Sequence, residues 1–226
     1  MQVQTLFHEF GHALNSVMCD NELQHMFGAR GPLDAVELPS HILEAAVLHG
    51  DVLDWLLEAT HDPSDAVARE RLKQTLLLQE GFCSSLLQLQ GLALPRMDAC
   101  LHGDRPPASA SELQEEYLEQ INSVLPLPAP AGTFPHFSMM HAVTYGGLCH
   151  AYQYAQTAAT RIWREHLAER FSQQGGGMQV ADLLIRPGGA VDAAAALDVL
   201  LPRHESLHPH QGKRSVASGG PVATSH

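Results

Sequence analysis

The chain has 226 residues, 45% of them hydrophobic and 17% charged, and a formal net charge of -12. That length and apolar content suit one globular domain with a real core, with or without a tail. The acidic balance argues against nucleic acid and anionic membrane surfaces, which reward clustered Lys and Arg, and no apolar run reaches the ~18 residues of a spanning helix. Four cysteines, Cys19, Cys83, Cys100 and Cys149, form no CxxC pair and follow no signal-peptide pattern, so reduced thiols in an intracellular compartment are expected.

Residues 4–19 are predicted helical, because Leu6, Phe7, Phe10, Ala13, Leu14, Val17 and Met18 recur at helical spacing. Gly11 in their midst costs a helix roughly 1 kcal/mol relative to alanine, which predicts a close neighbour at that turn. Residues 20–34 lose periodicity and collect Gly28, Gly31 and Pro32, a loop or short hairpin placed to flank a substrate. Helix returns over 35–59, with Glu37 at its entrance and Pro39 at an early position where a missing N–H is tolerated. Asp62-Pro63-Ser64-Asp65 is a helix start, and 64–91 is a leucine-rich pattern whose Leu76, Leu77, Leu86, Leu87 and Leu89 are expected in the core. A turn over 102–107 precedes a helix from Ser111 to about Val124, and 125–135 is a proline-rich linker.

From Phe134 to Tyr154 the chain gathers His136, His141, Tyr145, Gly146, Gly147, His150, Tyr152 and Tyr154, then runs on as helix to about Gln173. This is a second chemical hotspot, although phenols at the solvent edge of an amphipathic helix account for any one of them equally well. Gly175-Gly176-Gly177 breaks the chain, 180–185 is a short helix, Arg186-Pro187-Gly188-Gly189 is a turn, and 190–201 is the last helix. Residues 203–226 lack periodicity and are predicted to be a disordered tail whose histidines are solvated. No strand-period segment occurs, so the expected fold class is all-α.

The chemistry concentrates in the first helix. His8-Glu9-Phe10-Gly11-His12 places two imidazoles one turn apart on one face, able to grip one metal ion, with Glu9 set round the helix within reach of an activated water. The pattern is that of a water-activating zinc peptidase. A catalytic zinc usually takes three protein ligands, so one is missing. Glu37, 29 positions beyond His8 (37 minus 8), follows the glycine-bearing loop and can fold back to the pair. Glu44 competes from about two turns further along the same helical face. Glu44 and Asp34 are also suited to hydrogen-bond a ligating imidazole from outside. A thermolysin-like arrangement through Glu44 is disfavoured, since no Asp follows it at the needed spacing.

His8-Glu9-Phe10-Gly11-His12 followed by Asp34-Ala35-Val36-Glu37-Leu38-Pro39-Ser40 and Glu44 resembles the thimet oligopeptidase family of zinc metallopeptidases, where HEFGH precedes D-x-x-E-x-P-S. The loop Gln24-His25-Met26-Phe27-Gly28-Ala29-Arg30-Gly31-Pro32-Leu33-Asp34 is most similar to the mitochondrial intermediate peptidase branch, with Ala29 where Thr is usual. The resemblance implies Glu37 as third ligand to one zinc ion per chain and Glu9 as the catalytic base. It also implies His141 and Tyr145 as holders of the developing oxyanion, with Gly28 and Tyr152 against the substrate. Cys149 and His150 stand where the family has two tyrosines, and Asn15 stands where it has a histidine. The resemblance covers residues 2 to about 202. It implies a helical zincin-type catalytic domain over 1–202, the C-terminal half of a deep-channel oligopeptidase fold, with an N-terminal segment as the opposite wall. The expected function is a zinc metalloendopeptidase hydrolysing short or unfolded peptides, with mitochondrial precursor processing and a matrix location implied by resemblance alone. The alternative is a truncated, catalytically silent fragment that at most binds zinc or a partner.

Overall fold

The structure is a computed structural model and describes residues 2–60, 65–124, 144–171, 173, 175 and 177–202. Among these residues every regular element is helical and no strand occurs. The first helix, α1, is Gln2–Met18, and a short 3-10 turn, Gln24–Met26, takes the place of the hairpin that 20–34 left open. The single helix expected over 35–59 is two, α2 (Leu33–Ala46) and α3 (Gly50–Thr60), separated at 47–49. Because α2 begins at Leu33, Pro39 lies in its interior rather than near its start, and there it withholds the N–H that would reach the Ala35 carbonyl.

Helix α4 is Ala66–Gly91, capped by the Asp65 carboxylate accepting from the Ala68 N–H. Helices α5 (Ala93–Leu101) and α6 (Ala110–Val124) follow. The leucines expected to make α4 a core element do not do so: Leu76 and Leu77 are only half-buried, while Leu86, Leu87 and Leu89 are exposed. Their spacing marks an apolar stripe, but among the described residues α4 packs mainly against α3, α5 and α6, and lightly. Helix α7 (His150–Ile162) runs on as a π-helical turn, Trp163–Leu167. Helix α8 (Met178–Val180) likewise continues as a π turn, Ala181–Ile185, before α9 (Ala193–Leu200). The linker over 125–135, the residues His136 and His141, and the tail 203–226 lie outside the described residues.

Among the described residues two apolar clusters hold the helices. The larger joins Leu38 and Ile42 of α2 to Ala155, Ala158, Ala159 and Ile162 of α7 and to Leu184, Leu197 and Leu200, with Leu14 and Met18 of α1 packed against it. The alanine face of α7 lets it lie close against α2. Fully burying each such Leu or Ile side chain contributes roughly 1.5–3 kcal/mol. The smaller cluster pairs Ala93 and Met97 of α5 with Tyr117 and Ile121 of α6. Thus α2 is sandwiched between α1 and α7. Among the described residues no helix is long and apolar enough to cross a membrane.

Candidate metal centre

The seam between α1 and α2 is unusually close at one point. A Cβ added to Gly11 would lie 2.4 Å from the Ser40 Cα and 2.7 Å from the Pro39 carbonyl oxygen, so only glycine lets the two backbones meet here. This is the neighbour that the mid-helix glycine predicted. The contact sits between His8 and His12 on one side and three residues beyond Glu37 on the other, and it brings the three side chains together.

His8 Nε2 lies 3.4 Å from Glu37 Oε2, and His12 Nε2 lies 3.6 Å from the same oxygen. The two imidazole rings stand edge to face with centroids 4.9 Å apart. One donor atom from each of the three residues falls within 4.8 Å of the others. Zinc bonded to nitrogen and oxygen at about 2.0–2.1 Å has tetrahedral edges of about 3.3 Å, so the two separations from Glu37 Oε2 suit edges of one zinc site that these three residues could hold. Glu37 is buried, and Ser40, fully buried beside it, donates its hydroxyl to Glu37 Oε2 at 3.2 Å and to the Glu37 carbonyl at 2.8 Å.

Glu44 meets the other nitrogen of His8. Its Oε1 lies 3.0 Å from His8 Nδ1, and its Oε2 lies 2.7 Å from His41 Nδ1. A carboxylate accepts from both, so each ring carries a proton on Nδ1, and His8 Nε2, turned toward Glu37, is the atom left to bind a metal once its own proton is lost. The bonds to Glu37 and Glu44 hold the His8 imidazole up at about 10. Burial pushes both carboxyls up, but the imidazoles outweigh it: His8 and His12 hold Glu37 below its usual range, and His41 and His8 bring Glu44 to about 2.

The remaining expected site residues are placed as follows. Glu9 is exposed at the rim of α1, one residue after His8. The Asp34 carboxylate accepts from the Ala35 N–H at 3.0 Å, whereas Glu44 accepts from His8 Nδ1. Gly28 is buried against Ser16, one turn beyond His12, in a loop held from the far side by the Gly188-Gly189 turn. Tyr152, on α7, lies close enough to Glu37 that burial, aided by the Glu37 charge, pushes its phenol up to about 12. The Tyr145 ring is 6.5 Å from that of Tyr152. His141 lies outside the described residues.

Two residues of this neighbourhood were not picked out from the sequence. His41 carries a signal in hindsight, since it is three residues before Glu44 and so shares its face. Asp98 carries none. From α5 it is fully buried and accepts from the N–H groups of Gly147 and Cys149, each at 2.9 Å, and its carboxylate also lies 3.0 Å from His102 Nδ1. It thereby anchors the turn that carries Tyr145, and no local pattern links residues 49 positions apart.

The family model described as Peptidase family M3 matches residues 1–214. A protein named mitochondrial intermediate peptidase from Botryotinia fuckeliana is 29% identical over 197 residues, 84% of this chain and 25% of the relative. Its namesake from Arabidopsis thaliana is 29% identical over 199 residues, 87% of this chain and 27% of the relative. Oligopeptidase A of Escherichia coli is 28% identical over 192 residues, 84% of this chain and 28% of the relative. The chain therefore spans about a quarter of the length of these relatives. A match over nearly the whole chain, on an all-helical fold with two histidines and a glutamate converging at one seam, makes this chain a member of peptidase family M3.

Proposed function

We propose that this chain carries the zinc-holding and water-activating part of a metalloendopeptidase that cleaves short or unfolded peptides. The observation that carries the reading is the approach of His8 Nε2 and His12 Nε2 to one Glu37 oxygen, at 3.4 and 3.6 Å, with Glu44 bonded to His8 Nδ1. A zinc ion held there supplies a Lewis acid that acidifies water toward neutral pH. Glu9 takes the proton of the attacking water and hands it to the leaving amine. Tyr145, with His141, donates to the oxyanion, a contribution on the order of 3 kcal/mol for one such donor. Tyr152 keeps its proton at neutral pH and is suited to hold the substrate carbonyl. Mitochondrial precursor processing in the matrix is the finer reading that the intermediate-peptidase relatives suggest. The experiment is Glu9→Gln, which should bind zinc as the parent does and lose peptide cleavage. Cleavage at the parent rate would sink the scheme.

One observation favours the second reading, a fragment that binds zinc without turning over. On the side of α1 away from the metal seam, Leu6, Phe10 and Val17 are 61%, 64% and 83% exposed, an apolar stripe at helical spacing. An N-terminal segment that covers this stripe is the partner expected for the active form. Addition of such a segment in trans should raise cleavage without changing zinc affinity.

A further inference from the structure

We propose that His41 is a positioning residue for the metal centre, acting through Glu44 on His8; the inference rests on the zinc reading above. His41 is oriented inward from α2, its side chain only 11% exposed, and its one hydrogen bond among the described residues goes from Nδ1 to Glu44 Oε2 at 2.7 Å. The ring packs edge to face on that of His8, with centroids 5.3 Å apart. Glu44 spends its other oxygen on His8 Nδ1 at 3.0 Å.

A carboxylate with one bond can swing about its terminal torsion, which is broad for glutamate. A carboxylate bound at both oxygens cannot turn without breaking one bond. His41 therefore locks Glu44, and Glu44 locks the plane and tautomer of His8. The chain of contacts matters because His12 has no equivalent support: its Nδ1 is buried without a hydrogen-bond partner among the described residues. Orientation of the imidazole pair thus depends on the arm from His8 through Glu44 to His41.

The same three residues also converge closely enough to suggest a second ion. The distances decide against it. Separations of 2.7 and 3.0 Å are those of charge-assisted hydrogen bonds, shorter than the about 3.3 Å between two donors on one tetrahedral zinc.

The test is zinc affinity of the purified chain, by chelator competition, for an isosteric pair of variants. Asn places an amide N–H where His41 Nδ1 stands, whereas Leu has the same shape and cannot donate. His41→Leu should weaken zinc binding about tenfold, the low end for an outer partner of a metal ligand, and His41→Asn should restore most of it. In a Glu44→Ala background the His41→Leu change should have no further effect, because the arm is already cut. Should His41→Leu lose helix content, His41→Ala takes its place in both backgrounds. The proposal is overturned if His41→Leu binds zinc as the parent does, if its loss is the same with and without Glu44, or if two zinc ions bind per chain. His8→Ala separates this from failure of the metal reading itself. If His8→Ala keeps parent affinity, both fall; if it loses zinc while His41→Leu does not, only the positioning role falls.

Discussion

Gly11→Ala sets two effects of known size against each other. In an exposed helix interior the change should stabilise by roughly 1 kcal/mol, since alanine has the better helix propensity. At this seam the new methyl would lie 2.4 Å from the Ser40 Cα and 2.7 Å from both the Pro39 oxygen and the Ser40 nitrogen. Ordinary contact begins near 3.4 Å, so the helices have to part by about 1.0 Å (3.4 minus 2.4). The obstructing atoms are buried α2 backbone and cannot rotate aside. Overpacking of this kind costs about 1–3 kcal/mol, which exceeds the propensity gain. Parting α1 from α2 also stretches the 3.4 and 3.6 Å separations of His8 and His12 from Glu37 past what one ion spans. We expect a lower melting temperature with chelator present, zinc affinity at least about tenfold weaker, and peptide cleavage down about a hundredfold, the scale of a 1 Å misplacement. Gly81→Ala in α4, where a Cβ meets nothing within 4 Å, is the control that should gain the propensity term. A Gly11→Ala protein that melts at or above the parent and keeps parent zinc affinity would refute the close-seam argument.

Zinc uptake should displace a proton, because His8 is held protonated up to about 10 by Glu37 and Glu44 and its lone pair is needed for the metal. Apparent affinity should then rise by about tenfold per pH unit around neutrality, and calorimetry in two buffers of different ionisation enthalpy should report about one proton released; a flat profile removes the premise. For the chelated protein the signs follow the same shifts. The His8 contribution is complete below its ordinary 6.5 and is lost as pH rises through about 10, while that of Glu44 is present above 4.5 and is lost as pH falls through about 2. Asp98→Ala leaves the Gly147 and Cys149 N–H groups without their acceptor and should cost about 2–3 kcal/mol in denaturant unfolding, with a lower cleavage rate as the Tyr145 turn loosens. An unchanged unfolding midpoint would exclude that anchor. Replacing the exposed Leu6 and Phe10 by serine should reduce self-association in sedimentation while leaving zinc affinity at the parent value, and loss of zinc would show that the stripe supports the site instead.

Local spacing made a large part of this molecule legible. The turn-by-turn recurrence of apolar residues marked the helices, and the interval from His8 to His12 placed two imidazoles on one face, since both depend only on the 3.6-residue period. Gly11 announced a close neighbour without saying which one. The leucines of α4 show the converse: periodicity marks a face as apolar, but burial needs another element to cover it, and in this chain Leu86, Leu87 and Leu89 remain exposed.

What the sequence determined by itself is the all-helical class and the pairing of His8 with His12. Residue types and intervals left Glu37 and Glu44 as rivals for one role. The family resemblance implied Glu37, and the packing of α2 gives the two carboxylates different partners, because the rotation of that helix about its axis is fixed by Leu38 and Ile42 in the core with α7 and by the Pro39–Ser40 backbone against Gly11. With that rotation set, two positions seven residues apart are about 10 Å from each other along the axis, and their carboxylates reach in to the His8 ring from either side. Glu37 faces one ring nitrogen and Glu44 the other. The supports, His41 behind Glu44 and Asp98 beneath the Tyr145 turn, are set by tertiary contacts, and the one from Asp98 spans too much sequence for any local pattern to announce it.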